Sequence, residues 1–459
     1  MNTQAFLDPE RWAQKTFGPA NLKDIRRTGR AVKAARRMAE NASASLPAQM
    51  QTWKEVIALY RLLSEGDVTF EALMQPQWHQ TREQVEAWPL VLLVQDTTEV
   101  DLSHHPKTKG LGQIGNERGR GLYIQTVLAV LPGQGEVLGC AMQEPFVRTP
   151  APQGETRSQR WQRTQRETDV WMRLVTRLGN FPAATTIVHV GDRGADMFPF
   201  FQACQVTQTS FLVRACENRR LKPEEGPQTY LLDSVRAWPA QASRRFQVPA
   251  SHGRTARSTV VQLAFGPLTV LPPRHDPRGN KEPLAVWAIR VWEEQTPEGE
   301  EPLEWILLTS VPTTTLEQAW ERVGWYEHRW VVEDYHQCLK TGCRLEERQV
   351  QRVDRLIRLL GLLSPLAVRL LQLRDLARRE PERRACEVLD AELLAVVAAQ
   401  TDQTPALMTT GVFWTAVAQL GGYLARPGDG PPGWKTLWKG WLRVQTLLEG
   451  VHLAFHLRL

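Results

Sequence analysis

Residues 88–214 constrain the fold most, because apolar runs and turn signals there follow one order: strand, strand, strand, helix, strand, helix, strand. The run at 90–94 is continuously apolar and ends in Gln95-Asp96-Thr97-Thr98. Residues 123–131 and 137–142 read as two further strands, joined by a turn at Pro132-Gly133-Gln134-Gly135. Residues 155–178 read as a helix that breaks at Gly179-Asn180. The run at 185–190 is a buried strand ending in Gly191-Asp192-Arg193, followed by a short helix at 195–204 and a strand at 210–213. Hairpins followed by an αβ crossover predict a mixed sheet with helices on its faces.

The flanks differ in character. Residues 1–75 read as helical, and Arg26, Arg30, Lys33 and Arg37 fall within about 60° of one another on one helix face. That face is either a solvated one or a phosphate-contacting helix of a small DNA-binding domain. Residues 215–303 are rich in Pro, Gly and Arg loops between short strands at 245–248, 258–264 and 284–292, a β-rich insertion. A strand at 304–310 precedes a helix at 316–339, continued after Gly342 by a second helix from about 345 to 379. Residues 386–459 read as helices divided by loops at 402–405 and 426–433. Three domains are therefore expected: 1–75, 76–379 and 380–459.

Composition narrows the partner and the compartment. The 459 residues carry 56 Lys+Arg against 50 Asp+Glu, a formal charge of +6, and the basic side chains are 45 Arg and 11 Lys. Arg presents a planar, always-charged fork that matches phosphate, so an anionic partner is expected. Arg is concentrated at 26–37, 157–177 and 344–384, while acids cluster at 293–304. No apolar run reaches the roughly 18–20 residues of a membrane span, and the N-terminal stretch MNTQAFLDPERWAQKTF has no apolar signal core. The six cysteines include no Cys-x-x-Cys pair, so they read as reduced cytosolic thiols, with Cys338 and Cys343 as helix packing. The expected setting is the cytoplasm, without a membrane.

Asp96 and Asp192 each follow a buried apolar strand, at the end where ligands collect in αβ sheets; turn formation and capping place Asp there too. If the two strands are neighbours, both carboxylates meet at one edge. The run 326–333 adds a third feature. With Tyr326 at zero, Arg329 lies at about −60°, Glu333 at about −20° and Lys340 at about −40° on an ideal helix. One face then presents a carboxylate flanked by an Arg, a Lys and a phenol, unless Arg329–Glu333 is simply a surface pair. Two Asp and one Glu suit a hard divalent cation such as Mg²⁺, and two such ions can serve in-line phosphoryl displacement.

Asp96 in VQDTTEVDLSHH, Asp192 in HVGDRGAD and the spacing Tyr326-x2-Arg329-x3-Glu333-x6-Lys340 resemble the three signatures of the DDE transposases of insertion-sequence family four, the Tn-five type. The likeness runs from DIRRTGR near the N-terminus to GDGPPGWKTLWKGWLRVQ near the C-terminus. It implies an RNase H-like mixed α/β core with a β-strand insertion before the catalytic Glu, an N-terminal DNA-binding region and a C-terminal helical region that dimerises. It implies Asp96, Asp192 and Glu333 as catalytic and metal-binding carboxylates for two Mg²⁺ ions, with Mn²⁺ as a substitute. Tyr326, Arg329 and Lys340 match the positions that contact the transposon-end backbone.

The family's reaction nicks one strand, closes a DNA hairpin on the transposon end, reopens it and joins the 3′-OH to target DNA. A base extruded from the bent DNA stacks on a Trp in the strand before the catalytic helix, and Trp305 occupies that place. Arg214, in FLVRACENRR, falls where the family has a DNA-contacting Arg, although the residues after it differ. Arg344, Arg348, Arg352, Arg355 and Arg358 are expected on one broad helix face, in contact with the transposon end or solvated. His104 and His105 read as loop residues or phosphate contacts, and Trp434, Trp438 and Trp441 as a packing stripe of a C-terminal helix, close to a dimer contact. The implied partners are duplex DNA and a second copy of the chain. A catalytically silent DNA-binding relative or inhibitor is the alternative.

Overall fold

The computed structural model describes residues 7–457 apart from 116–117, 150–151, 153, 157–158, 160–166, 224–228, 249–256, 275–281, 402 and 427–428. The helix expected at 155–178, and the Arg-rich run beginning at 157, lie partly outside the described residues; the described α-helix there is Val170–Leu178.

Ten described strands form one sheet: β1 Leu90–Asp101, β2 Gly112–Ile114, β3 Gly119–Val130, β4 Val137–Phe146, β5 Thr186–Gly191, β6 Ser210–Arg214, β7 Ala242–Val248, β8 Arg257–Val270, β9 Leu284–Glu293 and β10 Glu304–Thr309. Their order is β2-β3-β1-β5-β6-β10-β9-β8-β7, with β4 also paired to β3, on the side away from β1 that β2 shares. β1, β5 and β6 run parallel, and their continuous apolar segments are buried on both faces, as strands covered by helices must be. β3 and β4 add an antiparallel meander. The β-rich insertion extends this same sheet, because β10 pairs back to β6 and carries β9, β8 and β7 with it.

Helices cover both faces. Val170–Leu178, Phe198–Val206 and Leu231–Arg236 pack with Val91, Leu93, Ile187 and Phe211 on one side. The other side carries Leu316–Glu327, Trp330–Gln337 and the long helix Val353–Arg378, together with the N-terminal and C-terminal helices. The fold is thus the expected mixed α/β one, an RNase H-like sheet with helical regions at both ends. One helix, Phe70–Glu86, runs straight across residue 75. Val353–Arg378 is the one helix among the described residues long and apolar enough to cross a membrane, and 89% of its apolar window is buried. Its Arg369, buried over the Trp12 ring, donates to Leu7 O at 2.7 Å and so ties the N-terminal helices to it.

Three expectations are corrected. The stretch at 316–339 is two helices, joined by a tight turn in which His328, Arg329, Val331 and Val332 each bond three residues back. It ends in a π-helical turn, Cys338–Gly342. The second helix begins at Val353 rather than 345. Arg344 takes a left-handed conformation (φ 49°), and residues 348–352 run as an extended strap, so Arg344, Arg348, Arg352, Arg355 and Arg358 do not share one helix face. Trp434, Trp438 and Trp441 do form the expected packing stripe, buried among the chain's own C-terminal helices with Trp441 5.7 Å from Trp414.

A buried polar network joins the layers. Gln143 Nε2, on β4, donates to Thr126 Oγ1 on β3 and to the Tyr335 hydroxyl, each at 3.0 Å. Ser364 Oγ donates to Gln143 Oε1 at 2.6 Å, and His336 Nε2 lies 3.2 Å from Thr126 Oγ1. All five side chains are buried. Gln143→Leu takes a hydrogen-bond partner from three buried hydroxyls, so it is expected to lower unfolding free energy by about 2–4 kcal/mol in urea titration. A loss under about 1 kcal/mol would mean that the network contributes little beyond its shape.

Candidate active site

Strand register brings the two Asp together. β1 and β5 pair in parallel up to Val94 opposite Val190, and Asp96 and Asp192 each stand two residues further on. With a side-chain period of two, both carboxylates leave the same face as Val94 and Val190, towards the helix that carries Glu333. Asp96 differs from expectation in one respect: it sits inside β1, which continues to Asp101 through antiparallel pairing with β3. Asp192 lies in the turn after β5, where its Oδ1 accepts from Gly194 N at 2.7 Å. That turn is tight enough that a Cβ on Gly191 would stand 2.4 Å from the Ala195 Cβ.

Arg329 faces these groups. Its guanidinium donates to Glu333 Oε1 at 2.7 Å and lies 3.5 Å from Asp96 Oδ2, with the arginine side chain only 9% exposed. Tyr326, also buried, has Arg329, Arg214, Asp192 and Arg193 around its phenol, and burial pushes its pKa up. Trp305, on β10, packs edge-on to Tyr326 at 5.2 Å and to Phe246 at 5.8 Å, and is 8% exposed. Arg214 ends β6 and donates to Glu304 O at 2.8 Å. Tyr326, Arg329, Glu333, Asp96 and Asp192 therefore share one site, with Trp305 and Arg214 at its side. Lys340 stands apart, within the π turn and 3.6 Å from Glu346.

Sequence reasoning missed Arg193, beside the phenol, and Asp196. The Asp196 carboxylate is fully buried, pairs with Arg219 at 2.6 Å and accepts from Cys216 N and Glu217 N. It braces the turn of Asp192 against the start of the insertion. Its place in HVGDRGAD was visible, but nothing in spacing marks a brace.

Burial, then the neighbouring Asp192 charge, pushes the Asp96 carboxyl up from 3.8 to about 7; Arg329 opposes the shift and Glu333 adds to it. Negative charge therefore exceeds what Arg329 neutralises, and the donors are hard oxygens, which suit Mg²⁺ or Mn²⁺. Among the described residues, however, no three acidic, His or Cys groups form a ready metal cage. Arg329 stands between Asp96 and Glu333 instead.

The basic residues of the N-terminal region gather as expected. Asp24 caps the helix Ile25–Glu40, and Arg26, Arg30, Lys33 and Arg37 line one groove of about 390 Å³. The facing wall comes from the helix Trp53–Leu62, which adds Lys54 and Glu55. Arg348 is a correction. It is 4% exposed and its guanidinium is spent on the carbonyls of Ala42, Ala44 and Cys343 at 2.6–3.0 Å, so it is an interior bracket between regions and not a DNA contact. Arg344, by contrast, lines an open groove of about 440 Å³ with Ser43, Ser45 and Tyr60. His105 is a loop residue bonded to Glu346 O at 2.7 Å, and Cys338 and Cys343 are buried packing.

The Asp96 shift has a signed consequence. Its folded pKa of about 7 exceeds the ordinary 3.8, so the fold favours the protonated carboxyl. The group weakens the metal-free fold as pH rises through that window, and the full cost is present above it. Asp96→Asn is expected to stabilise the chelator-treated protein by roughly 2–4 kcal/mol near pH 8 and by almost nothing near pH 4. Urea unfolding at the two pH values decides it, and an equal effect at both would reject the buried-charge account.

Residues 9–68 match a family model described as transposase DNA-binding. The matched span holds the whole basic groove and ends before β1. The chain carries a transposase DNA-binding domain at its N-terminus, with DNA as its partner.

Proposed function

We propose that the chain is a cut-and-paste DDE transposase of the insertion-sequence family four type, which cleaves transposon ends through a hairpin and joins the 3′-OH ends to target DNA. The observation that carries this reading is the in-register placement of Asp96 and Asp192 under the Arg329–Glu333 helix, in a chain with a transposase DNA-binding domain. Asp96, Asp192 and Glu333 would hold two Mg²⁺ ions, with Mn²⁺ as a substitute; their donor chemistry and the raised Asp96 pKa fit such ions. When bound, the ions activate the attacking oxygen and stabilise the leaving oxygen of an in-line displacement.

The chain's own residues supply the rest. Arg329, now paired with carboxylates, is placed to turn to a phosphodiester once cations neutralise them. Tyr326 and Arg214 flank the same spot, and Trp305 offers an aromatic edge for an extruded base once its contacts to Tyr326 and Phe246 open. Arg26, Arg30, Lys33, Arg37 and Lys54 hold the end duplex by its backbone, with Arg344 beside them. The active assembly in this reading is a dimer on two ends. A second reading, a catalytically silent DNA-binding relative, draws on the absence of a ready metal cage among the described residues and on the Arg329–Glu333 pair.

One experiment separates the two. Purified protein, a labelled end from the element's terminal inverted repeat and Mg²⁺ should yield a nick and then a hairpin. Asp96→Ala and Glu333→Ala should bind the end and leave it whole; cleavage by either variant would refute the carboxylate assignment. Trp305→Ala should nick but form hairpins poorly, whereas equal loss of both steps would make Trp305 structural only. A wild-type protein that binds the end and never cuts it supports the silent reading. In the same binding assay, Arg30→Ala with Lys33→Ala should lower the salt dependence of affinity by about two phosphate contacts.

A further inference from the structure

The turn joining the helices Leu316–Glu327 and Trp330–Gln337 sends two neighbouring side chains in different directions. Arg329 goes to Glu333 Oε1 at 2.7 Å and to Asp96 Oδ2 at 3.5 Å. His328 goes to the turn between β3 and β4, where its Nε2 lies 2.8 Å from Pro132 O. A carbonyl only accepts, so Nε2 carries the hydrogen and Nδ1 is the bare nitrogen. Burial lowers the ring's pKa from 6.5, against the bond to Pro132 and with the Arg374 charge, which favours that neutral tautomer. The β3–β4 turn closes tightly on the ring: Gly135 is buried at φ 70°, and a Cβ there would stand 2.8 Å from Nδ1. The same turn is fixed to the helix Val353–Arg378. Asp375 Oδ2 accepts from Val137 N at 2.8 Å, Gln372 Nε2 donates to Val137 O at 3.0 Å, and Arg379 pairs with Glu136.

The turn that carries Arg329 has little restraint of its own. His328, Arg329, Val331 and Val332 each bond only three residues back, and such 3₁₀-like bonds are poorer than α-helical ones. The Arg329 guanidinium stands at the end of a long side chain, so a small roll of the turn moves it far. We propose that His328 is a positioning residue: through its bond to Pro132 O it sets the roll of this turn and so aims Arg329 at Asp96 and Glu333. A ring that merely filled the space between the β3–β4 turn and the helices would need no donor. The consequence for cleavage rests on the reading of the site as a DDE centre; the aiming of Arg329 does not.

The test compares His328→Leu, which fills the space without a donor, with His328→Gln, whose amide N–H can still reach Pro132 O. His328→Ala replaces the leucine variant should that one fail to fold. In urea unfolding of the full chain near pH 8 in chelator, Asp96→Asn should raise the midpoint further in the His328→Leu background than in wild type, because an unaimed Arg329 no longer offsets the Asp96 charge. In the His328→Gln background the gain should return to the wild-type value. Equal gains in all three backgrounds overturn the proposal. With a labelled end and Mg²⁺, His328→Leu should nick about ten- to a hundredfold more slowly in single turnover at unchanged end affinity, and His328→Gln should recover most of the rate. Loss of affinity in step with rate, or a His328→Gln variant as slow as His328→Leu, overturns the proposal as well. A wild-type chain that binds the end and never cuts it overturns the DDE reading instead, and the unfolding cycle then decides the role of His328 alone.

Discussion

The hydrogen bonds around Gln143 set the spacing between the two halves of the site. Thr126, which Gln143 holds, is the residue directly opposite Asp96 in the β1–β3 register. Tyr335, the other acceptor, lies two residues beyond Glu333 on the same helix. One side-chain amide therefore connects the strand beside the first carboxylate to the helix of the third. Burial strengthens each bond and makes a partial network costly, so the arrangement is near all-or-none. Ser364 brings the long helix Val353–Arg378 into the same network. Gln372 on that helix bonds Val137 O and Leu138 O, while Arg369 reaches the N-terminal helices. The DNA-binding region and the carboxylates are thus mounted on one helix, and strain at either can reach the other through packed elements.

Much of this was legible in the sequence where local pattern and tertiary demand agree. Apolar runs at 90–94, 185–190 and 210–213 became the parallel strands, and the convergence of Asp96 with Asp192 follows from that pairing. The insertion strands were legible too, but their continuity with the main sheet was not, since pairing partners leave no mark on period. Asp96 looked like a strand end because Gln95-Asp96-Thr97-Thr98 is polar; the antiparallel partner β3 carries the strand on regardless. The ideal-helix angles for Tyr326, Arg329, Glu333 and Lys340 ignored two opposite changes of winding. A 3₁₀-like turn overwinds the chain before Glu333, and a π turn underwinds it after. The first keeps Arg329 against Glu333; the second carries Lys340 off to Glu346. Arg348 looked like one more cation on a face, because a sequence does not show that three carbonyls from Ala42, Ala44 and Cys343 converge on it.

Several cations of the N-terminal groove and of the site are accompanied by carboxylates of the chain itself, and that shapes what binding DNA must involve. In the N-terminal groove, Arg26 pairs with Asp24 at 2.8 Å, Lys33 with Glu55 at 2.6 Å and Arg37 with Glu40 at 3.2 Å. At the site, Arg329 spans Asp96 and Glu333, and Lys340 meets Glu346. A duplex arriving at such a surface exchanges partners more than it fills vacancies. Each exposed pair given up costs little, whereas phosphates repel the carboxylates left behind. Where those carboxylates sit on the surface, water and salt screen them. At Asp96 they screen little, because the side chain is only 16% exposed, and its charge is already disfavoured before any phosphate arrives. Moving Arg329 from carboxylate to phosphate would leave three acids facing a fourth anion in a poorly solvated pocket. In the proposed reading that arrangement is tolerable only if divalent cations enter with the DNA, which would couple metal binding to substrate binding through electrostatics.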